Sequence, residues 1–355
     1  MNVYIVHHLY HANNYQWEQE INEIKELNPD RILCLCLEEY DFRFIFKHFF
    51  NNIQPWLEEN NKTVTVLVPN PNNLQITPNI VTESTSGIYI FFVDLLYKGI
   101  SAPDTLNTHL KADKVFTSYN NNPKYERALL VDELVKRSLL QHGIVTFIYP
   151  ERVSFSMKSE PFLGWKYHDG SRLLDEQDFE LNSKPEFNAG SIPASFTRGF
   201  IDLVSESHVE PEEFFLTEKT IKSIAQLKPF IALCSAGYHT DYLANMYGLE
   251  LYDELFDYSF DTMPNVKDRI NGLVDNIERI VQIYNNDYRD QMHETLLPKM
   301  IRNRQRMIDF GLNKDKMVPT SLKFLTDGTD YTMHGHVKKL TEYTLQYYRK
   351  MGWMK

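Results

Sequence analysis

The sequence predicts an α/β protein of two Rossmann-like, doubly wound domains facing a cleft, with helices at the C-terminal end. Three observations predict it. Short apolar stretches ("VYIV" at 3–6, "RILCLCL" at 31–37, "TVTVLV" at 63–68) alternate with helical periodicities, the pattern of a parallel sheet covered on both faces. The same alternation restarts near Asp113, in "KVFTSYNNNPKYERALLVDELVKRSLLQHGIVTFIYP". The chain has 355 residues, with 22 Phe and 21 Tyr to fill two cores without disulfides.

The first domain is placed at 1–112. Residues 3–6 form a strand, and Trp17, Ile21, Ile24 and Leu27 recur at helical spacing. A second strand follows at 31–37, an aromatic-rich buried helix at 42–57, and a third strand at 63–68, closed by "PNPNN". Residues 89–93 read as a fourth strand. The second domain is placed at 113–334. It opens as strand, polar loop, helix and strand. That helix presents Ala128, Leu129, Val131, Leu134, Val135 and Leu139, and "HG" at 142–143 is its expected stop. Residues 150–195 show no period and read as an insertion or lid. Strands are expected at 199–204, 214–216 and 229–234, around a helix at 217–227. Helices follow at 263–284, 288–310 and 336–351. The segment 335–355 is expected to pack back on the first domain.

The net charge of −11 argues against a generally basic nucleic-acid surface. One basic run, Lys299, Arg302, Arg304 and Arg306, reads as a solvated helix face and leaves a local groove for DNA open. Cys34, Cys36 and Cys234 include no second pair to complete a zinc site; buried, reduced thiols and a cytoplasmic location are expected. The N-terminus lacks the pattern of a secretory signal, and no stretch has the ~18 apolar residues of a membrane helix. Gly-rich phosphate loops, H-E-x-x-H, Asp-x-Asp and G-x-S-x-G are absent from the sequence.

The stretch "FFLTEKTIKSIAQLKPFIALCSAG" (214–237) carries the most chemistry. Thr217 is a good N-cap, and Ile221, Ile224 and Ala225 supply an apolar stripe. The first turn therefore offers free N–H groups and the positive end of a helix dipole. Lys219 opposes that dipole, a placement better explained by an anionic ligand than by capping. Glu218 stands where a carboxylate can accept from the vicinal hydroxyls of a ribose. The bland reading makes Glu218 a dipole-friendly acid and Lys219 a solvated tail, and spacing alone leaves both open. Arg127, early in the preceding helix, suits bidentate phosphate contact or an ordinary surface pair with Glu126.

Together "LVSES", "FFLTEKTIKSIAQLKPFIALCSAGY", "YGLELYDELFDYSFD" with the following Arg269, and "FTSYNNNPKYERALLVDELVKRSLL" resemble glycosyltransferase-like proteins of bacteriophages and large DNA viruses. The resemblance covers about residues 114–280. Its "TEK" element is similar to that of alpha-1,3-fucosyltransferases, which have the two-Rossmann GT-B fold. The resemblance implies Glu218 on the nucleotide ribose and Lys219 on the diphosphate. It also implies Arg127 on phosphate, Tyr119 and Asn120 lining the donor pocket, and Glu206 near the sugar at a strand end. Ile221 and the single Gly237 depart from the family pattern and leave the donor open.

The expected activity is metal-independent transfer of a sugar from a nucleotide sugar, with no separate cofactor. Expected base candidates are His7, His8, His11, Glu38, Glu39 and Asp94, with Asp94 and His8 foremost; a retaining enzyme needs none. The acceptor is a hydroxyl, either of hydroxymethylated bases in viral DNA or of a glycan or protein. The location would then be the host cytoplasm. A non-catalytic binding protein of the same fold is the alternative.

Overall fold

The computed structural model describes residues 1–7, 17–35, 46–68, 75–84, 112–120, 124–147, 194–206, 209, 214, 216–336 and 345–354. The chain divides into two compact units, 1–91 with 309–355, and 92–308. Each combines parallel strands with helices, the mixed α/β class that the alternation predicts.

In the first unit β1 (Asn2–His7) leads through α1 (Trp17–Leu27) to β2 (Arg31–Leu35). A widened helical turn, Phe46–Phe50, runs into α2 (Asn51–Glu59) and then β3 (Val64–Val68). β1, β2 and β3 are parallel, with Val3 opposite Arg31 and Ile32 opposite Val64. Tyr4, Val6, Ile32, Cys34, Val64 and Val66 share one face and pack with Trp17, Ile21, Ile24, Phe49, Ile53 and Leu57. Ile5, Leu33 and Leu67, on the other face, are equally buried, which is why the strands lack polar alternation.

The sheet also holds three strands that periodicity missed. β4 (Gln75–Thr77) and β5 (Ile80–Ser84) form an antiparallel pair, and β5 lies parallel to β3. They are short and joined around "TPN", so no run of alternation announces them. The third returns from far along the chain. The expected strand at 89–93 lies outside the described residues.

In the second unit β6 (Lys114–Asn120), α3 (Tyr125–Lys136) and β7 (Gly143–Phe147) come first. β8 (Gly199–Ser205), α4 (Glu218–Ala225) and β9 (Phe230–Leu233) follow. The strands are all parallel in the order β7-β6-β8-β9. Helix α3 stops at Lys136, before the expected "HG", because the chain turns at Ser138 with φ 56°. Gly143 has another reason to be glycine: a Cβ there would lie 2.4 Å from the Phe116 ring. Phe214 and Leu216 are buried but not in a strand; Phe214 instead stacks on Tyr242, with ring centroids 5.2 Å apart.

α5 (Val266–Ile283) and α6 (Asn286–Leu312) occupy the predicted helical region. β10 (Thr332–Gly335) then pairs parallel with β1, Thr332 opposite Asn2. Its "TMHG" is too polar to read as a strand. Of the expected last helix, Gln346–Lys350 is helical. Among the described residues no helix is long and apolar enough to cross a membrane.

A buried polar cluster ties the second sheet to α4. The Lys228 ammonium, fully buried, donates to Thr117 Oγ1 (2.7 Å) and to the Phe196 carbonyl (2.6 Å), and lies 4.1 Å from the Phe196 ring centre. Thr117 and Ser223 hydroxyls donate to the Asp202 carboxylate at 2.9 and 2.6 Å. Burial pushes the Asp202 carboxyl up and brings Lys228 from 10.5 down to about 7, Asp202 opposing the latter shift. The unfolded chain binds this lysine proton below its ordinary 10.5, but the folded chain only below about 7. Stability gained from Lys228 therefore rises with pH between those values. Urea titrations of the wild type and Lys228→Met should diverge from pH 7 to pH 10, by on the order of 1 kcal/mol per pH unit. A constant difference would refute the buried-amine assignment.

Candidate functional site

The site is built at the carboxyl ends of β6 and β8 and the start of α4. Glu206 directly follows β8 and is only 2% exposed. Its carboxylate accepts from the Thr217 hydroxyl and Thr217 N (3.3 Å). Two further donors are Thr220 Oγ1 (2.6 Å) and Tyr238 OH (3.2 Å). Burying a carboxylate is costly unless such donors satisfy its oxygens. The Thr217 hydroxyl gives its proton to Glu206 and accepts from Lys219 N and Lys219 Nζ, both at 3.2 Å. Thr217 is thus the N-cap that the sequence predicts, in extended backbone conformation (φ −103°, ψ 177°).

Glu218 and Lys219 are half-buried and form an ion pair of 3.2 Å. Burial by itself would lift the Glu218 carboxyl; the Lys219 charge and hydrogen bond outweigh it and hold the group below its ordinary range. Lys222, one turn on, has its ammonium pushed down by burial and partly restored by Glu218. Its i+4 position from Glu218 is the sequence signal that puts Lys222 within reach of this carboxylate.

Arg127 is buried on α3, and its Nη2 donates to the Ser205 carbonyl (3.4 Å) and the Glu206 carbonyl (3.3 Å). Asn120 ends β6 and is fully buried; its N–H donates to Thr146 Oγ1 (3.0 Å) and its amide to Ser118 Oγ (3.1 Å). The Tyr119 ring lies against Phe196, with centroids 6.2 Å apart. The fold therefore gathers Arg127, Glu206, Thr217, Glu218 and Lys219 about the carboxyl end of β8, with Asn120 at the end of the neighbouring strand. His8, His11, Glu38, Glu39 and Asp94 lie outside the described residues; His7 is the last residue of β1.

Two other motif residues turn out to hold the frame. Arg269 donates to four carbonyls: Cys234 (3.1 Å), Met263 (2.7 Å), Pro264 (2.9 Å) and Val209 (2.5 Å). Gly237 adopts φ 81° to open the helical segment Tyr238–Met246, and a Cβ there would lie 2.6 Å from Asp241 Oδ2. Asp261, from the later turn Ser259–Thr262, accepts from the N–H groups of His239 and Thr240 in that segment and pairs with His239 Nδ1 (2.7 Å). His239 Nε2 accepts from Ala232 N (3.0 Å), which fixes the proton on Nδ1.

Three of the four basic residues of the run on α6 are paired with acids. Lys299 meets Glu254 (2.8 Å), and Arg302 and Arg306 both meet Glu250 (2.6 and 2.8 Å). Among the described residues no cluster of three metal-ligating side chains occurs.

The Glu218–Lys219 coupling has a measurable consequence. In Lys219→Met the Glu218 carboxyl should titrate higher than in the wild type, because burial is its largest influence. Carboxyl-carbon NMR titration reads this directly; an unmoved titration would show that Lys219 does not control the carboxylate.

No family model matches the chain, and no curated protein does. A solved structure similar to it is an alpha,alpha-trehalose-phosphate synthase (UDP-forming) from Burkholderia xenovorans in complex with glucose-6-phosphate. The identity is 11% and the TM-score 0.37, over 88% of this chain and 73% of that one. At that TM-score the functional reading rests on the chemistry of the site alone.

Proposed function

We propose that the chain transfers a sugar from a nucleotide-sugar donor to a hydroxyl acceptor, without a metal or separate cofactor. The observation that carries this reading is the Glu218–Lys219 pair on the capped first turn of α4, beside the buried Arg127. An arriving diphosphate draws the Lys219 ammonium from Glu218. The released carboxylate then accepts from the two ribose hydroxyls. As the bond from sugar to phosphate breaks, negative charge grows on the departing diphosphate. Lys219, Arg127 and the N–H groups opening α4 stabilise that charge. Tyr119 and Asn120 complete the donor pocket. Asp94 or His8 takes the acceptor proton in an inverting reaction.

For the acceptor, a glycan or protein hydroxyl is favoured over a hydroxymethylated DNA base. Three of the four cations between 299 and 306 are occupied by Glu250 and Glu254, which leaves little charge there for phosphates. A nucleotide-sugar-binding protein without catalysis is the second reading, separated from the first by transfer assays.

UDP- and GDP-sugars should be screened by thermal shift, since a bound donor raises the melting temperature. At least one donor should stabilise the protein. Lys219→Ala and Glu218→Ala should each weaken its binding by roughly 10- to 100-fold, the weight of a charged hydrogen bond, with the fold intact. Absence of any shift, or wild-type affinity in both variants, would overturn the assignment.

A further inference from the structure

We propose that the crevice between the carboxyl ends of β6 and β8 seats hydroxyls of the transferred sugar, with Asn120 and Ser205 as its hydrogen-bonding pair. The inference rests on the donor reading above and adds what determines the sugar.

The first observation is topological. β6 lies between β7 and β8, so the winding of the sheet reverses there. Parallel sheets bind ligands where the winding reverses, beyond the carboxyl ends. The ladder itself opens at this point. The β6–β8 register ends at Thr117 opposite Asp202. On the outer sides pairing continues, to Asn120 opposite Phe147 and to Ser205 opposite Leu233. The last residues of β6 and β8 therefore part from each other while staying held to their other neighbours.

The second observation is chemical. Continuing the same register puts Asn120 level with Ser205. Thr117 and Asp202 meet on one face of the sheet at 2.9 Å. Three residues on along both strands, alternation puts Asn120 and Ser205 together on the other face. Both are buried, 0% and 1% exposed. Among the described residues Asn120 Oδ1 and Ser205 Oγ find no hydrogen-bond partner. The rest of the Asn120 amide is committed, its Nδ2 to Ser118 Oγ. Buried polar atoms without partners are uncommon, and two on adjacent strands at a reversal point mark a place that a ligand completes.

The chemistry selects the ligand group. Asn120 Oδ1 only accepts, so a phosphate oxygen cannot satisfy it, whereas a sugar hydroxyl can donate to it. Ser205 Oγ both donates and accepts, matching a second hydroxyl. Arg127 reaches the Ser205 and Glu206 carbonyls, so the proposed phosphate contact adjoins the same strand end. In a nucleotide sugar, the group that follows the diphosphate is the sugar.

Calorimetry with UDP- and GDP-sugars, and with UDP and GDP alone, tests this on wild type, Ser205→Ala and Asn120→Ala. Ser205→Ala deletes only the unpartnered hydroxyl and decides the question if Asn120→Ala fails to fold. The expected result is about a tenfold loss of nucleotide-sugar affinity in each variant, with binding of the bare diphosphate unchanged. Equal losses for both ligand sets would place phosphate, not sugar, at the crevice and overturn the proposal. Unchanged binding of both would mean that the crevice holds buried water only, and would overturn it too. If the wild type binds neither set, the donor reading falls and takes this inference with it. If it binds them and the variants do not discriminate, the inference alone falls.

Discussion

The buried carboxylate of Glu206 is the interaction on which the site depends. It sits just past β8 and draws hydrogen bonds from Thr217 and Thr220 of the α4 entry and from Tyr238, which follows β9. Strand, helix start and the next strand's exit are thereby joined at one carboxyl group. The arrangement also sets polarity. Once the Thr217 proton is committed to Glu206, its lone pairs face Lys219, and both the cap and the lysine position follow. A carboxylate with that many donors is far stronger glue than a neutral acceptor would be. Glu206 thus positions Lys219 through Thr217.

The second unit separates its charges by task. Lys228 and Asp202 are closed into the interior with Thr117, Ser223 and Phe196, and they brace the sheet against α4. Lys299, Arg302 and Arg306 are taken up by Glu250 and Glu254, so α6 is fastened to the segment before it. Among the described residues Lys219 pairs with its neighbour Glu218 at 3.2 Å, a contact between two half-buried side chains that a stronger anion can displace. In an acidic chain of net charge −11, this half-buried pair on the first turn of α4 stands apart from the cations committed to bracing.

Much of this was legible in the sequence. The strands from β1 to β3 and from β6 to β9, and the helices α1, α3, α4, α5 and α6, follow from apolar runs and helical periods. Thr217 was legible as a cap because capping is a local hydrogen bond, here to Lys219 N. The strand expected at 214–216 was not formed. Three apolar residues satisfy burial equally well by packing, and Phe214 does so against Tyr242. β5 and β10 were invisible because each is held by pairing with a partner earlier in the chain more than by its own pattern, and β4 because its three residues are too few to show one. The expected stop of α3 at Gly143 mistook a glycine needed for close packing against Phe116 for one needed to end a helix.

By itself the sequence determined the parallel α/β class, the α4 cap and the adjacency of Glu218 and Lys219. These rest on periods and contacts spanning a few residues. The tertiary structure decided that Glu206 faces Thr217 and Tyr238, that Arg269 clamps four carbonyls, and that β6 and β8 part beyond Thr117 and Asp202. Those outcomes join residues far apart in the chain. They are settled by how strands register and helices pack, which no local pattern encodes.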